Sequence, residues 1–66
     1  MKAELIHLRP LTNTLGGRDY MYLANKTDYD LFDHWTDAND IAVDLNRDAI
    51  DSGQDDRWIV VLVKGA

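Results

Sequence analysis

The sequence contains no cysteine and a single proline in 66 residues. Without cysteine there are no disulfides, no thiolate chemistry and no zinc-thiolate site, so a chain about half the length of an ordinary domain must hold together without staples. Long apolar runs are missing too. Nowhere do eighteen apolar residues stand together, and the opening MKAELIHLRP is too short an apolar stretch for a signal peptide, which predicts a cytoplasmic protein with no membrane partner. Basic residues are scarce: seven Lys and Arg stand against twelve Asp and Glu, for a net charge of −5. That balance argues against direct nucleic-acid binding, because such affinity comes from cationic side chains that displace phosphate counterions. Glutamate is nearly absent as well, since Glu4 is the single Glu and the other eleven acidic residues are Asp. What remains, 45% apolar and 29% charged, is the composition of one small globular domain spanning residues 1–66.

Residues 2–9 alternate, with Ala3, Leu5 and His7 on one side and Glu4, Ile6 and Leu8 on the other, the period of a strand that Pro10 ends. The stretch between Pro10 and Arg18 carries Thr12, Asn13, Thr14, Gly16 and Gly17 and reads as a hairpin loop. Residues 18–24 then form a second strand, with Tyr20 and Tyr22 on one face and Met21 and Leu23 on the other. Over 25–35 the signals are mixed. Thr27 can cap one or two helical turns through Leu31, Phe32 and Trp35, although the segment is rich in turn-forming Asp.

A long helix is predicted over 37–52, with Thr36 as N-cap, Asp37 and Asp40 in the first turn, and Gly53 as terminator. Its buried stripe is Ala38, Ile41, Ala42, Leu45 and Ala49. The nearly unbroken apolar run 58–63 reads as a strand covered on both faces or central in its sheet. Three strands and one long helix make an α+β two-layer sandwich of order ββαβ. If the last strand pairs antiparallel with the first, the spatial order is 2-1-3; a parallel place beside the second strand demands a right-handed crossover. The all-antiparallel order is preferred.

The aspartate bias is concentrated on the long helix. Asp37, Asp40, Asp44, Asp48 and Asp51 fall at offsets 0, 3, 7, 11 and 14, which sets all five on one stripe roughly opposite the apolar one, about 20 Å long. Like charges at this spacing destabilise a helix by a few tenths of a kcal/mol per pair, roughly, and Glu is the better helix former. One use for such a stripe is to imitate the spaced charges of a nucleic-acid backbone on short side chains that lose little rotamer entropy when a cationic partner docks. The plain alternative is a solvated face that keeps the protein soluble.

Other chemistry finds little support. Asp44, Asn46 and Asp48 followed by Asp55 echo a calcium-loop spacing, but Ala49 stands where the sharp turn needs Gly and the segment has a helical period. The cluster Asp28, Asp30 and Asp33 lacks a loop framework, so no metal and no cofactor are expected. His7 reads as a partly buried sheet histidine, His34 has no nucleophile beside it, and Ser52 falls at a helix end, so no catalytic residues are assigned and the protein is not expected to be an enzyme. Of the six aromatics, Phe32, Trp35 and Trp58 are expected in the core, while Tyr20 and Tyr22, together on one face of an edge strand, are expected as exposed anchors for a partner.

In its length, its missing cysteine, its stripe from Asp37 to Asp51 and its clusters Asp28, Asp30, Asp33 and Asp55, Asp56, the chain resembles the small acidic inhibitors made by bacteriophages, including anti-CRISPR proteins and nucleic-acid mimics. That resemblance implies a non-enzymatic inhibitor in the host cytoplasm that occupies a basic, nucleic-acid-binding surface on a host protein or nucleoprotein complex. The net charge of −5 suits blockage of a small site better than mimicry of a whole duplex. A reading from another class is a structural or assembly module, homodimeric through an exposed strand edge with Tyr20 and Tyr22 buried, in which charge serves solubility.

Overall fold

The structure, a computed structural model, describes residues 1–11 and 22–65. Strand β1 runs Lys2–Pro10, β2 Tyr22–Lys26 and β3 Arg57–Val63, with helix α1 over Trp35–Asp51. The sheet is antiparallel with order β2-β1-β3, and α1 packs on one of its faces, an α+β arrangement. The hairpin loop, the first part of the second strand and Tyr20 lie outside the described residues.

β1 takes the centre because both of its edges find partners. Leu5 lies opposite Val60 and His7 opposite Trp58 on one side, while His7 meets Asn25 and Leu8 meets Ala24 on the other. Beyond the reach of β2, two other groups continue that second edge. The Thr27 hydroxyl donates to the Leu5 carbonyl at 3.1 Å, and Phe32 exchanges both backbone hydrogen bonds with Ala3, at 2.9 and 2.8 Å. No helical turn forms in this segment: Thr27 spends its hydroxyl on β1, bends follow, and Phe32 forms an isolated bridge. Satisfying the edge of a buried strand outweighs a short helix that costs nucleation for few internal bonds.

Directly opposed residues share a sheet face, so Ala3, Leu5 and His7 join Leu62, Val60 and Trp58 under the helix. Among the described residues the fully buried side chains are Ala3, Leu5, Ala38, Ala42 and Ala49, and the helical alanines let α1 lie close against β1 and β3. Ile41 and Leu45 flank that seam half-buried, as the helical period requires. Phe32 and Trp58 are also half-buried, but Trp35 is 54% exposed and does not belong to the core. It stands at the first residue of α1, at the rim of the helix–sheet contact.

Two details of α1 differ from expectation. The helix starts two residues early, with His34 rather than Thr36 as N-cap and no side-chain cap bond. Its other end follows the sequence: Gly53 adopts φ of 73°, its N–H bonds to the Ile50 carbonyl, and the Gln54 N–H reaches back to Ala49 at 2.8 Å. These two bonds make a Schellman motif, which uses glycine for its left-handed residue.

The apolar run of β3 is not central. β3 is an edge strand with one face covered, because the described elements include a single helix and β1 holds the middle. Its outer edge is closed at one residue by the helix: Asn46 accepts from the Trp58 N–H at 2.7 Å and donates its amide to the Trp58 carbonyl at 3.0 Å. One side-chain amide thus stands in for a neighbouring strand. Asn46→Ala removes both bonds and leaves two half-buried backbone groups to find water, so urea unfolding is expected to show a loss of about 1–3 kcal/mol.

Candidate functional site

Helix α1 has two chemically different exposed sides. At 100° per residue the buried Ala38, Ala42 and Ala49 centre on Ala49, and the five aspartates occupy an arc about 140° away from it. The acidic stripe therefore lies roughly opposite the contact with the sheet, tilted to the side away from β3. Asp37, Asp40, Asp44, Asp48 and Asp51 are all exposed, and among the described residues none of them forms an ion pair. The opposite flank carries Trp35, Asn39, Val43 and Asn46, which together with Trp58, Val60 and Leu62 line a groove of about 460 Å³ along the β3 edge. The sequence thus places anions on the side of α1 turned away from β3 and leaves the β3 side uncharged.

Tyr22, the described member of the expected tyrosine pair, is 41% exposed on β2. Opposite Pro10, it belongs to the face of the sheet turned away from α1, with β1 between it and the β3 edge. The structure therefore does not join it to the aspartate stripe in one patch, since α1 covers the other face of β1 and β3. A dimer that buried Tyr22 through a strand edge would have to use β2.

The ion pairs of the described residues lie elsewhere. Lys2 Nζ stands 2.6 Å from Asp33 Oδ1, tying the start of β1 to the segment before α1. His7 Nε2 lies 2.7 Å from Asp56 Oδ2, and its ring stacks on Trp58 with centroids 4.7 Å apart and planes 14° from parallel. This contact fastens the 54–56 link to the central strand, and Arg57 closes the same link by donating to the carbonyls of Gln54 and Asp56. A His–Asp pair can orient a base, but among the described residues no hydroxyl is hydrogen-bonded to His7. Ser52 is the C-cap of α1. Among the described residues no group of three or more His, Asp or Glu is placed to hold a metal ion. The stretch 44–48 that resembles part of a calcium loop is continuous helix, and Asn46 has its amide committed to Trp58.

Sequence reasoning singled out the aspartates but missed Asn46, His7 and Asp56 as connecting residues. Asn46 had a signal: a poor helix former stands on the flank of the apolar stripe, where a solvated position would favour Gln or Lys. His7 and Asp56 are 49 residues apart and meet through the β1–β3 register alone.

No protein-family model, curated protein or solved structure matches the chain. Among the described residues no helix is long and apolar enough to cross a membrane.

The Lys2 ammonium, through its hydrogen bond first and its charge second, holds the Asp33 carboxyl below the ordinary value of 3.8. A lowered carboxyl favours the folded state above its unfolded pKa, and the benefit disappears as pH falls through the folded value. Asp33 is solvent-exposed, so the effect on stability is small and the titration itself is the cleaner readout. In an NMR titration the Asp33 midpoint is expected below 3.8 in the native protein and shifted back toward it in Lys2→Ala.

Proposed function

We propose that this protein is a non-enzymatic inhibitor that docks the acidic flank of α1 against a Lys- and Arg-rich, nucleic-acid-binding surface of a bacterial host complex, such as a CRISPR effector. The observation that carries the reading is the set of five exposed aspartates on one arc of a single helix, without ion pairs to described residues. A solvated helix gains nothing internal from this arrangement, because each neighbouring pair repels at three- or four-residue spacing. A cationic receptor turns that repulsion into attraction. The charges then steer encounter and set orientation, while the rigid helix keeps the ordering cost low. Tyr22, on the sheet's other face, has no part in this docking.

The reading is tested by capture from bacterial lysate at low salt with the protein as bait, followed by elution with DNA or RNA. The expected result is a nucleic-acid-binding complex that competing nucleic acid releases and that dissociates as ionic strength rises. Replacing Asp40, Asp44 and Asp48 together by Asn removes every neighbouring like-charge pair on the stripe, so the helix should be as stable as before or slightly more so. Affinity for the captured complex should fall about tenfold or more. Undiminished binding by the triple variant, with native circular dichroism, rejects the proposal.

A further inference from the structure

We infer that two copies of this chain associate through the outer edges of β3, antiparallel about a two-fold axis at Val61, to form one continuous six-stranded sheet. Its basis is the set of β3 backbone groups that neither β1 nor α1 satisfies.

In an antiparallel ladder, residues alternate between those whose N–H and C=O face one neighbour and those that face the other. Ala3 bonds to Phe32 and Leu5 to Thr27, so these residues of β1 turn their backbone groups away from β3, and Lys2, Glu4, Ile6 and Leu8 turn theirs toward it. Their partners Val63, Val61, Ile59 and Arg57 are therefore the bonded residues of β3. Trp58, Val60 and Leu62 face outward, which agrees with the two bonds from Asn46 to Trp58. With Trp58 occupied, the outward groups left on the strand are those of Val60 and Leu62.

A second β3 satisfies both reciprocally in one antiparallel register, Val60 opposite Leu62 of the second copy and Leu62 opposite its Val60. That register fixes the two-fold axis at Val61. It is an isologous contact, which closes on itself and leaves no free β3 edge for further growth.

The side chains agree with this pairing. From Trp58 to Val63 the strand carries no charge or polar side chain, whereas β2, the other edge strand, contains Asn25 and Lys26, and an edge lysine discourages pairing. Ile59, Val61 and Leu62 are 42%, 43% and 55% exposed. On the open face the register sets Val61 against its own copy and Ile59 against Val63. On the helix face it sets Leu62 beside Val60 and closes the groove lined by Trp35 and Val43.

Charge selects a second copy as the occupant. The five aspartates of α1 lie on the far flank of each helix, clear of a β3–β3 contact; of the nearer carboxylates, Asp33 beside Leu62 is ion-paired with Lys2, and Glu4 stands one strand back, opposite Val61. The strand also has a polar axis. Asp55 and Asp56 precede it and Lys64 follows it, so antiparallel pairing directs Lys64 of each copy toward the acidic end of the other.

The test exploits the missing cysteine. Val61→Cys places the chain's sole thiol directly across the two-fold axis, at about 4.5 Å between Cα atoms in a pair not hydrogen-bonded to each other, within disulfide range. Ile59→Cys sets its two thiols about 14 Å apart along the strands, beyond that range. Under mild oxidation Val61→Cys is expected to give a covalent dimer and Ile59→Cys to remain unlinked; no cross-link in the first, or equal cross-linking in both, overturns the register. Sedimentation of the unmodified protein at about 100 µM in roughly 0.5 M salt, where exposed charges are screened, should give twice the 7.6 kDa chain mass. A purely monomeric result overturns the inference. Leu62→Lys, at an already exposed position, is expected to weaken self-association at least tenfold while keeping native circular dichroism, and unchanged association in that variant counts against this edge.

Discussion

The structure depends on covering a three-stranded sheet with one helix. A single helix shields one face of two strands, so the described chain has a full complement of neighbours at β1 alone. Everything else on the sheet is finished by improvisation. Phe32 and the Thr27 hydroxyl complete one edge of β1, the Asn46 amide closes one residue of β3, and the His7–Asp56 contact secures the link that enters it. Among the described residues the fully buried set is four alanines and one leucine, which favours close approach over bulk. Burying so little large apolar surface gives a modest hydrophobic gain. The side chains that would ordinarily enlarge it, among them Trp35, Ile59, Val61 and Leu62, stay at the surface.

The helix thereby becomes a divider between two kinds of surface. One flank is anionic and hydrated, and attraction there acts at a distance and weakens with salt. The other is apolar and borders a strand edge, where contact depends on dewetting and directional backbone bonds. Asn46, Asn39 and the helical alanines lie on the second side or beneath it, and the carboxylate nearest to it, Asp33 beside Trp35 and Leu62, is held by Lys2. With this segregation the two proposed contacts, one on each flank of α1, would not compete for the same side chains.

Much of the fold was legible because it rests on local periods. The alternation in 2–9, the 3.6-residue recurrence from Ala38 to Ala49 and the Gly53 terminator are properties of neighbouring residues, and the structure keeps them. The antiparallel 2-1-3 order was the preferred of two arrangements open to three strands and a helix, and the structure adopts it. The failures involve residues distant in sequence. The helical turn in 25–35 was lost to a bridge with Ala3, Trp35 left the core because the helix began earlier, and the apolar run of β3 suggested a central strand although it lies at the edge. An unbroken run of β-branched residues reports that a strand wants both faces covered, and it does not say whether its own chain supplies the cover. For the candidate site, the five aspartates were visible from spacing alone, but which flank they take was not, since that depends on how α1 is turned over β1 and β3.

The Asn46 peg has a chemical consequence of its own. Its amide succeeds because it offers an acceptor to one backbone group and a donor to the next, 2.7 and 3.0 Å away. Spontaneous hydrolysis of that side chain to a carboxylate, the ordinary ageing reaction of asparagine, would preserve the first contact and set a negative oxygen against a carbonyl at the second. The outer edge of β3 would then lose its bond at the Trp58 carbonyl while the ladder to β1 stays paired, so the integrity of a single amide decides whether helix and strand edge stay pinned at that point.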